Sequence, residues 1–284
     1  MRIFAHRGAN RLYTEHTRAA YLEALRQGAD GLETDVRLSA DGQVVCWHDA
    51  TAKRLTGESA FIHEMTLARL KELDLIRGAQ LPNGFGAPDE QLMTLPALLD
   101  LMRAAERPVA LALEIKQPSP GAHALDRAVL AALSEAGWDP QTGEIGNVTV
   151  DLMSFWPQSV AALRGMGVGD ALLSLLLEDA DSDDLERWVE HETQGRVPGG
   201  AAAAVRDAAG VRDQLVGDPA IGLGPGMAVV RDDPDSFKRW AQAGRRLRVW
   251  TVNDVDDALF CRDLGIAEIT TDLPAEMRTA LTSH

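Results

Sequence analysis

The stretch GADGLETDVRL, residues 28–38, decides the fold prediction because it combines an apolar strand with two acidic side chains. Glu33 and Asp35 are separated by one residue, so that in a strand both side chains lie on the same face. Leu32 and Val36 then lie on the opposite face. Acidic side chains that face the inside of a barrel are costly unless a cation or hydrogen bonds compensate their charge. The stretch therefore predicts a strand with a charged site at its C-terminal end, where barrel enzymes place their active sites.

Apolar stretches of strand length alternate with stretches of helical period along the rest of the chain. The strand candidates lie near residues 2–5, 31–37, 109–115, 148–153, 171–176, 220–223, 246–252 and 267–271. The helical stretches include 17–27, 96–106, 122–136, 157–165, 233–243 and 254–263. Alternating strands and helices favour parallel pairing with right-handed crossovers. Eight strands predict an α/β fold of the (β/α)8 TIM-barrel type, and an open doubly wound sheet is the structural alternative.

Two regions interrupt this alternation. Residues 50–95 combine the helical stretch MTLARLKELDL with a loop rich in glycine and proline, which predicts an inserted segment after the second strand. Residues 178–219 contain an acidic run and an alanine-rich run, and the pattern does not place barrel elements there. The stretch GLGPG, 222–226, predicts a turn after the sixth strand. A length of 284 residues suits one TIM-barrel domain spanning 1–284.

The composition excludes several classes of partner. A formal net charge of −15 disfavours broad electrostatic binding to nucleic acid or to anionic lipid. The two cysteines, Cys46 and Cys261, are too few for a disulfide framework and lie in apolar runs, as buried thiols do. The sequence shows no secretion signal and no apolar run long enough to span a bilayer. We therefore expect a cytoplasmic protein without membrane insertion that binds a small molecule.

A second strand repeats the acidic pattern of the first. In ALALEIKQ, residues 110–117, Glu114 and Lys116 share a face at the end of an apolar strand. Glu33, Asp35 and Glu114 could therefore converge on one point. Their all-oxygen donor set suits one hard divalent ion, Mg²⁺ or Ca²⁺, with Mn²⁺ as a further candidate, better than Zn²⁺. The alternative is a structural ion-pair network with Arg7 and Lys116 at the mouth of the barrel.

Two histidines occupy similar places. His6 follows the apolar start of IFAHRGAN, residues 3–10, and His48 ends the apolar run of QVVCWHD, residues 43–49. Each histidine stands beside charged residues at the end of a strand candidate. One such histidine would usually be structural. Two of them could serve as a general acid and a general base that exchange protons across a phosphorus centre, and a structural role for both is the alternative.

Five segments together resemble the glycerophosphodiester phosphodiesterase family: AHRG at 5–8, EHT at 15–17, GADGLETDVRLSADGQVVCWHD at 28–49, LEIK at 113–116 and VWTVND at 249–254. The resemblance implies a TIM barrel with an insertion after the second strand and a hydrolase that cleaves glycerophosphodiesters into glycerol 3-phosphate and an alcohol. It also implies a role for each matching residue. His6 and His48 would be catalytic, Glu33, Asp35 and Glu114 would bind the metal, Arg7 and Lys116 would bind phosphate, Trp250 would line the substrate pocket, and Glu15 would lie close to the metal.

Three features depart from the family pattern or have two readings. His16 stands where the family commonly has asparagine, which puts a local hydrogen bond in question. Trp156, in SFWPQ at 154–158, stands where the family often has an acidic residue, so we expect a more apolar rim. In ITTDLP, residues 269–274, Thr271 and Asp272 could contact phosphate, but Asp272 before Pro274 favours a helix cap.

Three other functions compete with hydrolysis. A lyase resembling the phospholipase D toxins would release a cyclic phosphate, and the acidic composition and the insertion at 50–95 disfavour it. A non-catalytic phosphate-binding barrel would not need the two histidines. A metal-dependent sugar isomerase would need more histidine ligands than the pattern offers.

Overall fold

Eight parallel strands form a nearly closed barrel in the computed structural model, which describes residues 1–119, 121 and 123–283. The strands of this part of the chain are β1 (Arg2–His6), β2 (Gly31–Leu38), β3 (Val44–Cys46), β4 (Val109–Ile115), β5 (Glu144–Ile145), β6 (Val148–Ser154), β7 (Leu173–Leu177), β8 (Gly222–Pro225), β9 (Arg248–Val249) and β10 (Glu268–Thr271). The order around the barrel is β8-β7-β6-β4-β2-β1-β10-β9. Parallel bridges from Leu223 to Leu247 and from Gly226 to Trp250 join the two ends. The TIM-barrel prediction is confirmed, and the open sheet is excluded.

Helices connect the strands and cover the outside of the barrel. They are α1 (Arg18–Arg26), α2 (Lys53–Thr56), α3 (Leu67–Lys71), α4 (Leu95–Arg103), α5 (Ala124–Glu135), α6 (Pro157–Gly165), α7 (Ser182–Thr193), α8 (Ala201–Gly217), α9 (Met227–Asp232), α10 (Pro234–Gln242), α11 (Val255–Asp263) and α12 (Pro274–Ser283). Short 3-10 helices occupy Ile62–Glu64, Pro88–Glu90 and Asp170–Leu172. None of the helices in the described residues is both long enough and apolar enough to span a membrane.

Alternation along the strands separates two apolar layers. Leu32 and Val36 of β2 belong to the large core between the strands and the helices. Phe4, Ala112 and Met153 belong to a smaller cluster of residues from the opposite strand faces, inside the barrel. Burial of these apolar side chains is the main stabilising contribution to such a fold. The interior apolar cluster forms a floor beneath the charged site.

The segment after β2 differs from an ordinary crossover. β2 turns back into the antiparallel strand β3, and the chain then forms α2, α3 and two short 3-10 helices before α4. These elements share a separate apolar cluster around Trp47, Ile62 and Leu70. The helix predicted within MTLARLKELDL is restricted to Leu67–Lys71, where Thr66 caps the first turn by accepting a hydrogen bond from the N–H of Arg69.

In the second half of the chain, one predicted turn is wrong and one predicted strand is shorter than expected. GLGPG does not form a turn: Gly222–Pro225 is the strand β8. Glycine leaves room there for side chains of β7, because a Cβ at Gly222 would lie 2.5 Å from Ser174 Oγ and one at Gly224 would lie 2.4 Å from Leu176 Cδ2. The seventh barrel strand is only Arg248–Val249 rather than 246–252. Residues 178–219, which the pattern left unassigned, form α7 and α8.

Candidate active site

The three predicted acidic residues meet at the C-terminal ends of two neighbouring strands. Parallel pairing places Asp35 of β2 directly beside Glu114 of β4. Glu33 lies two residues before Asp35, on the same face of β2. One carboxylate oxygen from each residue lies within 4.8 Å of the other two. All three side chains are buried, with 3%, 1% and 6% of their surface exposed. Three buried carboxylates at this spacing form a donor set that fits one hard divalent cation.

Two cationic side chains compensate part of this negative charge. Lys116 Nζ lies 2.9 Å from Asp35 Oδ1 and 2.6 Å from Glu114 Oε1. Arg7 Nε lies 3.1 Å from Asp35 Oδ2, and the backbone N–H of Arg7 donates to Glu33 Oε2 at 3.0 Å. Arg7 adopts a left-handed conformation, with φ at 57°, which is strained for arginine and turns its main chain toward the acids. The structure thus brings the predicted phosphate-binding residues to the acidic cluster.

The pKa values of the three acids are shifted in different directions. Burial raises the pKa of Glu33 well above its ordinary range and raises the pKa of Glu114 to about 8. Burial acts in the same direction on Asp35, but the positive charge of Lys116 and its other neighbours outweighs it, so the pKa of Asp35 is well below its ordinary range. Without a cation at the cluster, Glu114 is therefore mostly protonated at pH 7, and burial shifts Glu33 in the same direction. A divalent ion would favour the charged form of both, and this electrostatic preference supports the fit of the site to a metal.

Each predicted catalytic histidine has a carboxylate on its Nδ1 atom. His6, at the end of β1, lies 2.8 Å from Asp272 Oδ1, and His48, after β3, lies 2.7 Å from Asp49 Oδ1. An ionised carboxylate only accepts hydrogen bonds, so Nδ1 of each ring carries a proton and Nε2 is left to exchange a proton with substrate. Burial and the positive charge of Lys116 lower the pKa of His48 to about 4, so this ring is neutral at pH 7.

Asp272 is not the helix cap that its position before Pro274 predicted. Its carboxylate accepts hydrogen bonds from His6, from Asn10 Nδ2 at 2.6 Å and from Asn253 Nδ2 at 2.8 Å. Burial would raise the pKa of Asp272, but the hydrogen bonds from His6 and Asn10 outweigh burial and hold the pKa well below its ordinary range. Thr271 Oγ1 instead accepts a hydrogen bond from the N–H of Leu273 near the start of α12.

His16, at the position where the family commonly has asparagine, makes two buried hydrogen bonds of its own. The side chain is 2% exposed, and its Nε2 lies 3.0 Å from Asp35 Oδ2. Burial lowers the pKa of His16, so the ring is neutral, Nε2 donates to Asp35, and Nδ1 accepts from the Tyr21 hydroxyl at 2.8 Å. The Tyr21 hydroxyl also lies 2.6 Å from Thr34 Oγ1. This buried chain of hydrogen bonds fixes one oxygen of Asp35.

Glu15 lies outside the acidic cluster, next to Arg7. Its Oε1 is 3.2 Å from Arg7 Nη1, and its two oxygens accept hydrogen bonds from Arg54 at 2.9 and 2.6 Å. Arg54 also donates to both oxygens of Asp49, at 2.6 and 3.1 Å. Arg54 therefore connects Glu15 with the Asp49–His48 pair. Sequence reasoning missed Arg54, because nothing in the local pattern of α2 distinguishes it from a surface arginine.

Aromatic residues form one side of the site. Trp250 meets Phe155 edge-on, with 5.3 Å between ring centroids, and Lys116 Nζ lies 5.8 Å from the centre of the Phe155 ring. The indole N–H of Trp250 donates to the carbonyl of Gly224 at 2.7 Å, which fixes the ring. Trp156 contacts Trp188 of α7 at 6.2 Å between centroids. The expectation that Trp156 makes the rim of the substrate pocket more apolar stays a prediction.

Comparison with known proteins places this geometry in a family. The model of the glycerophosphoryl diester phosphodiesterase family matches residues 6–276. A probable glycerophosphodiester phosphodiesterase 1 from Mycobacterium tuberculosis is 32% identical over 282 residues, which cover 98% of this chain and 92% of the relative.

Solved structures share the fold at lower identity. The glycerophosphodiester phosphodiesterase of Thermotoga maritima aligns with a TM-score of 0.65 and 22% identity, covering 98% of this chain and 97% of that one. A phosphodiesterase of Oleispira antarctica, in complex with the product sn-glycerol-3-phosphate, aligns with a TM-score of 0.71 and 20% identity over 99% of this chain and 97% of that one. Since the family model and the mycobacterial relative both match nearly the whole chain, the chain belongs to the glycerophosphoryl diester phosphodiesterase family, a family of phosphoric diester hydrolases.

Proposed function

We propose that the chain is a metal-dependent hydrolase that converts glycerophosphodiesters, the deacylated phospholipids, into glycerol 3-phosphate and an alcohol. The observation that carries the proposal is the placement of three buried acids beside two cations and two carboxylate-backed histidines at one end of the barrel. The names of the relatives support the substrate class, and the Oleispira antarctica structure contains the expected product. We further propose that residues 1–284 act as one domain, with an insertion at about 50–95, in the cytoplasm and in lipid and glycerol metabolism.

Glu33, Asp35 and Glu114 would hold one divalent cation, Mg²⁺ or Ca²⁺, with Mn²⁺ as a further candidate. When bound, such an ion supplies positive charge that stabilises the phosphoryl oxygens of the substrate. Arg7 and Lys116 would bind the same phosphate group. Three acids contribute −3, and the two cationic side chains and a divalent ion contribute +4 together, so the site keeps about one positive charge for one anionic phosphodiester.

The two histidines divide the proton transfers. Because the pKa of His48 is lowered to about 4, its ring is neutral at pH 7, and Nε2 has a lone pair that can accept the proton of the attacking hydroxyl. His6, held by Asp272, then protonates the leaving alkoxide. The first nucleophile in this proposal is the substrate's own glycerol hydroxyl, which gives a cyclic phosphate that water opens as the histidines exchange roles. Direct attack by water is the competing route.

Trp250 would pack against the glycerol end of the substrate beside Phe155. A cavity of about 220 Å³ adjoins Lys116 on the side of α7, and polar residues such as Ser39, His63 and Glu192 line it. This cavity offers room for the alcohol head group next to the phosphate position.

The test is turnover of a panel of glycerophosphodiesters after chelation, with Mg²⁺, Ca²⁺ and Mn²⁺ restored separately. Phosphorus NMR would follow glycerol 3-phosphate and any cyclic phosphate. We expect no turnover without metal, and a decrease in kcat of about 100-fold or more in His6→Ala and His48→Ala. Asp263→Asn, which changes an exposed residue at the end of α11, is the control.

Three outcomes contradict the proposal. Undiminished turnover after chelation would exclude metal dependence, and unchanged rates in both histidine variants would favour a barrel that binds phosphate without these groups. A cyclic phosphate that accumulates as the final product would favour the lyase. A cyclic phosphate that appears and then disappears would support the two-step route over direct attack by water.

A further inference from the structure

Arg37, near the end of β2, donates hydrogen bonds from all three nitrogens of its guanidinium group. The residue is 8% exposed. Its Nε and Nη2 atoms both donate to the backbone carbonyl of His48, at 2.8 and 2.6 Å. Its Nη1 atom donates to Glu192 Oε2 at 2.7 Å. Arg37 therefore joins the loop that carries His48 to helix α7.

The two bonds to His48 matter because this residue lies outside any strand. β3 ends at Cys46, and the backbone N–H of Trp47 donates to the carbonyl of Asp35 at 2.9 Å. One residue further along the chain, the carbonyl of His48 accepts both hydrogen bonds from Arg37 of β2. Asp49 orients the ring of His48, but Asp49 belongs to the same loop. The main chain of His48 is therefore fixed to the barrel wall through Arg37.

Glu192 supplies the counter-charge that this arrangement requires. The carboxylate is 8% exposed and lies near the end of α7. Arg37 and Glu192 line the same cavity as Lys116 and His63. Without Glu192, the guanidinium would be a buried cation bonded only to a neutral carbonyl, which is unfavourable. Glu192 thus keeps Arg37 in the geometry that reaches His48.

We propose that Arg37 is a positioning residue for His48 and that Glu192 holds Arg37 in place. Helix α7 then contributes to the active site through Glu192. The inference deepens the proposed function, because it rests on His48 as a proton carrier. It also gives a role to the segment 178–219, which the sequence left without one. Arg37 and Glu192 act through His48 and need not touch the reacting atoms.

The test uses the metal-loaded full-length protein and the variants Arg37→Lys, Glu192→Gln and their combination. Lysine cannot make the paired bonds of a guanidinium, so we expect Arg37→Lys to lower kcat by about 30-fold and Glu192→Gln to lower it by about 5- to 10-fold, with KM changed less than about two-fold. Because Glu192 acts through Arg37, adding Glu192→Gln to Arg37→Lys should lower kcat by less than about a further two-fold.

The matched control is Glu268→Gln. Glu268 is also a buried glutamate paired with arginines, Arg2 and Arg248, but it lies at the start of β10, at the opposite end of the barrel from the acidic cluster. This variant should lower the unfolding temperature while leaving kcat within about two-fold of the wild type.

A second measurement separates this inference from the proposed function. Nitrogen-15 NMR of the histidine side chains, recorded without substrate, should show shifted His48 resonances in Arg37→Lys and Glu192→Gln, with the His6 resonances unchanged. Failure of the wild type to cleave any glycerophosphodiester would overturn the proposed function, whereas the His48 resonances would still decide the inference. Unshifted His48 resonances in both variants, or multiplicative losses of kcat in the double variant, would overturn the inference.

Discussion

Replacing Asp272 with asparagine tests the pairing of His6 with a carboxylate that lies 266 positions away in the sequence. The Asp272→Asn variant keeps the size of the side chain and removes its negative charge. His6 must carry a positive charge whenever it holds the transferred proton, in either direction of proton transfer. The variant should therefore lower kcat with a smaller effect on KM, because the lost interaction belongs to the charged state of His6.

The magnitude follows from the geometry of the pair. Two unit charges about 4 Å apart interact by about 4 kcal/mol at the effective dielectric constant near a protein surface. The two side chains are 18% and 15% exposed, and Arg11 Nη2 lies 3.5 Å from the other oxygen of Asp272. Solvent and Arg11 together reduce the interaction to roughly 2 kcal/mol, which corresponds to a decrease in kcat of about 30-fold. An asparagine NH₂ group turned toward Nδ1 would move the ring proton to Nε2 and increase the loss.

The assay is steady-state turnover of a glycerophosphodiester at a saturating concentration of the divalent ion that best activates the wild type. Asp263→Asn is the control, because this aspartate at the end of α11 is 69% exposed and pairs with the surface residue Arg262. Thermal unfolding of both variants checks that the barrel is intact. A decrease in kcat smaller than about three-fold in a folded Asp272→Asn protein would refute the assigned role of the pair.

Three further predictions concern the surroundings of the acidic cluster. His16→Asn, which deprives the buried Tyr21 hydroxyl of its histidine acceptor, should lower the free energy of unfolding by about 1–3 kcal/mol, measured by urea denaturation; equal stability would show that this bond contributes nothing. Burial would raise the pKa of Glu15, but the hydrogen bond from Arg54 and nearby positive charges outweigh burial and lower this pKa to about 2. Ionised Glu15 therefore stabilises the folded protein above pH 4.5. This contribution is lost as the pH falls to about 2. In the metal-free protein, the stability difference between wild type and Glu15→Gln should therefore be largest at pH 7, at up to about 3 kcal/mol, and vanish near pH 2; a difference independent of pH would contradict this. The pKa of Glu114 is raised to about 8 in the metal-free protein, so Mg²⁺ must displace a proton from this residue when it binds. The Kd for Mg²⁺ should therefore fall by up to about tenfold per pH unit between pH 6 and 8, and calorimetry should detect the released proton. A Kd that does not change with pH would argue against ligation by Glu114.

The sequence predicts the barrel and the acidic cluster well, because both depend on local patterns. Glu33 and Asp35 share a face through the two-residue period of a strand, and the apolar character of β2 and β4 is visible in short stretches. Parallel neighbours then bring Asp35 beside Glu114 without any further information. The same reasoning could have found the partner of His6. Closure of the barrel pairs Ala5 with Thr271, so the residue after β10 must lie next to His6.

Other parts of the site depend on contacts that no local period records. Arg54 and Glu192 lie in irregular or peripheral segments, and each acts through a partner far away in the sequence. From the sequence alone, the glycines of β8 predict a turn, because glycine usually marks chain reversals. Their actual cause is steric, since Ser174 and Leu176 of the neighbouring strand occupy the space where a Cβ would lie. Such a cause becomes visible only when the neighbouring strand is known.

The two histidines differ in what holds them, and this difference follows from the chain topology. His6 ends a barrel strand and bonds to Asp272 after β10, so its position depends on the closure between β1 and β10, the same contacts that stabilise the barrel. His48 follows the short strand β3, and its position depends on Arg37, Glu192 and the inserted segment. The barrel wall is difficult to change without unfolding the protein, whereas insertions and peripheral helices vary readily in such folds. In the proposed mechanism, changes in α7 or in residues 50–95 would therefore adjust His48, and with it one of the two proton transfers, while the acids and His6 stay in place.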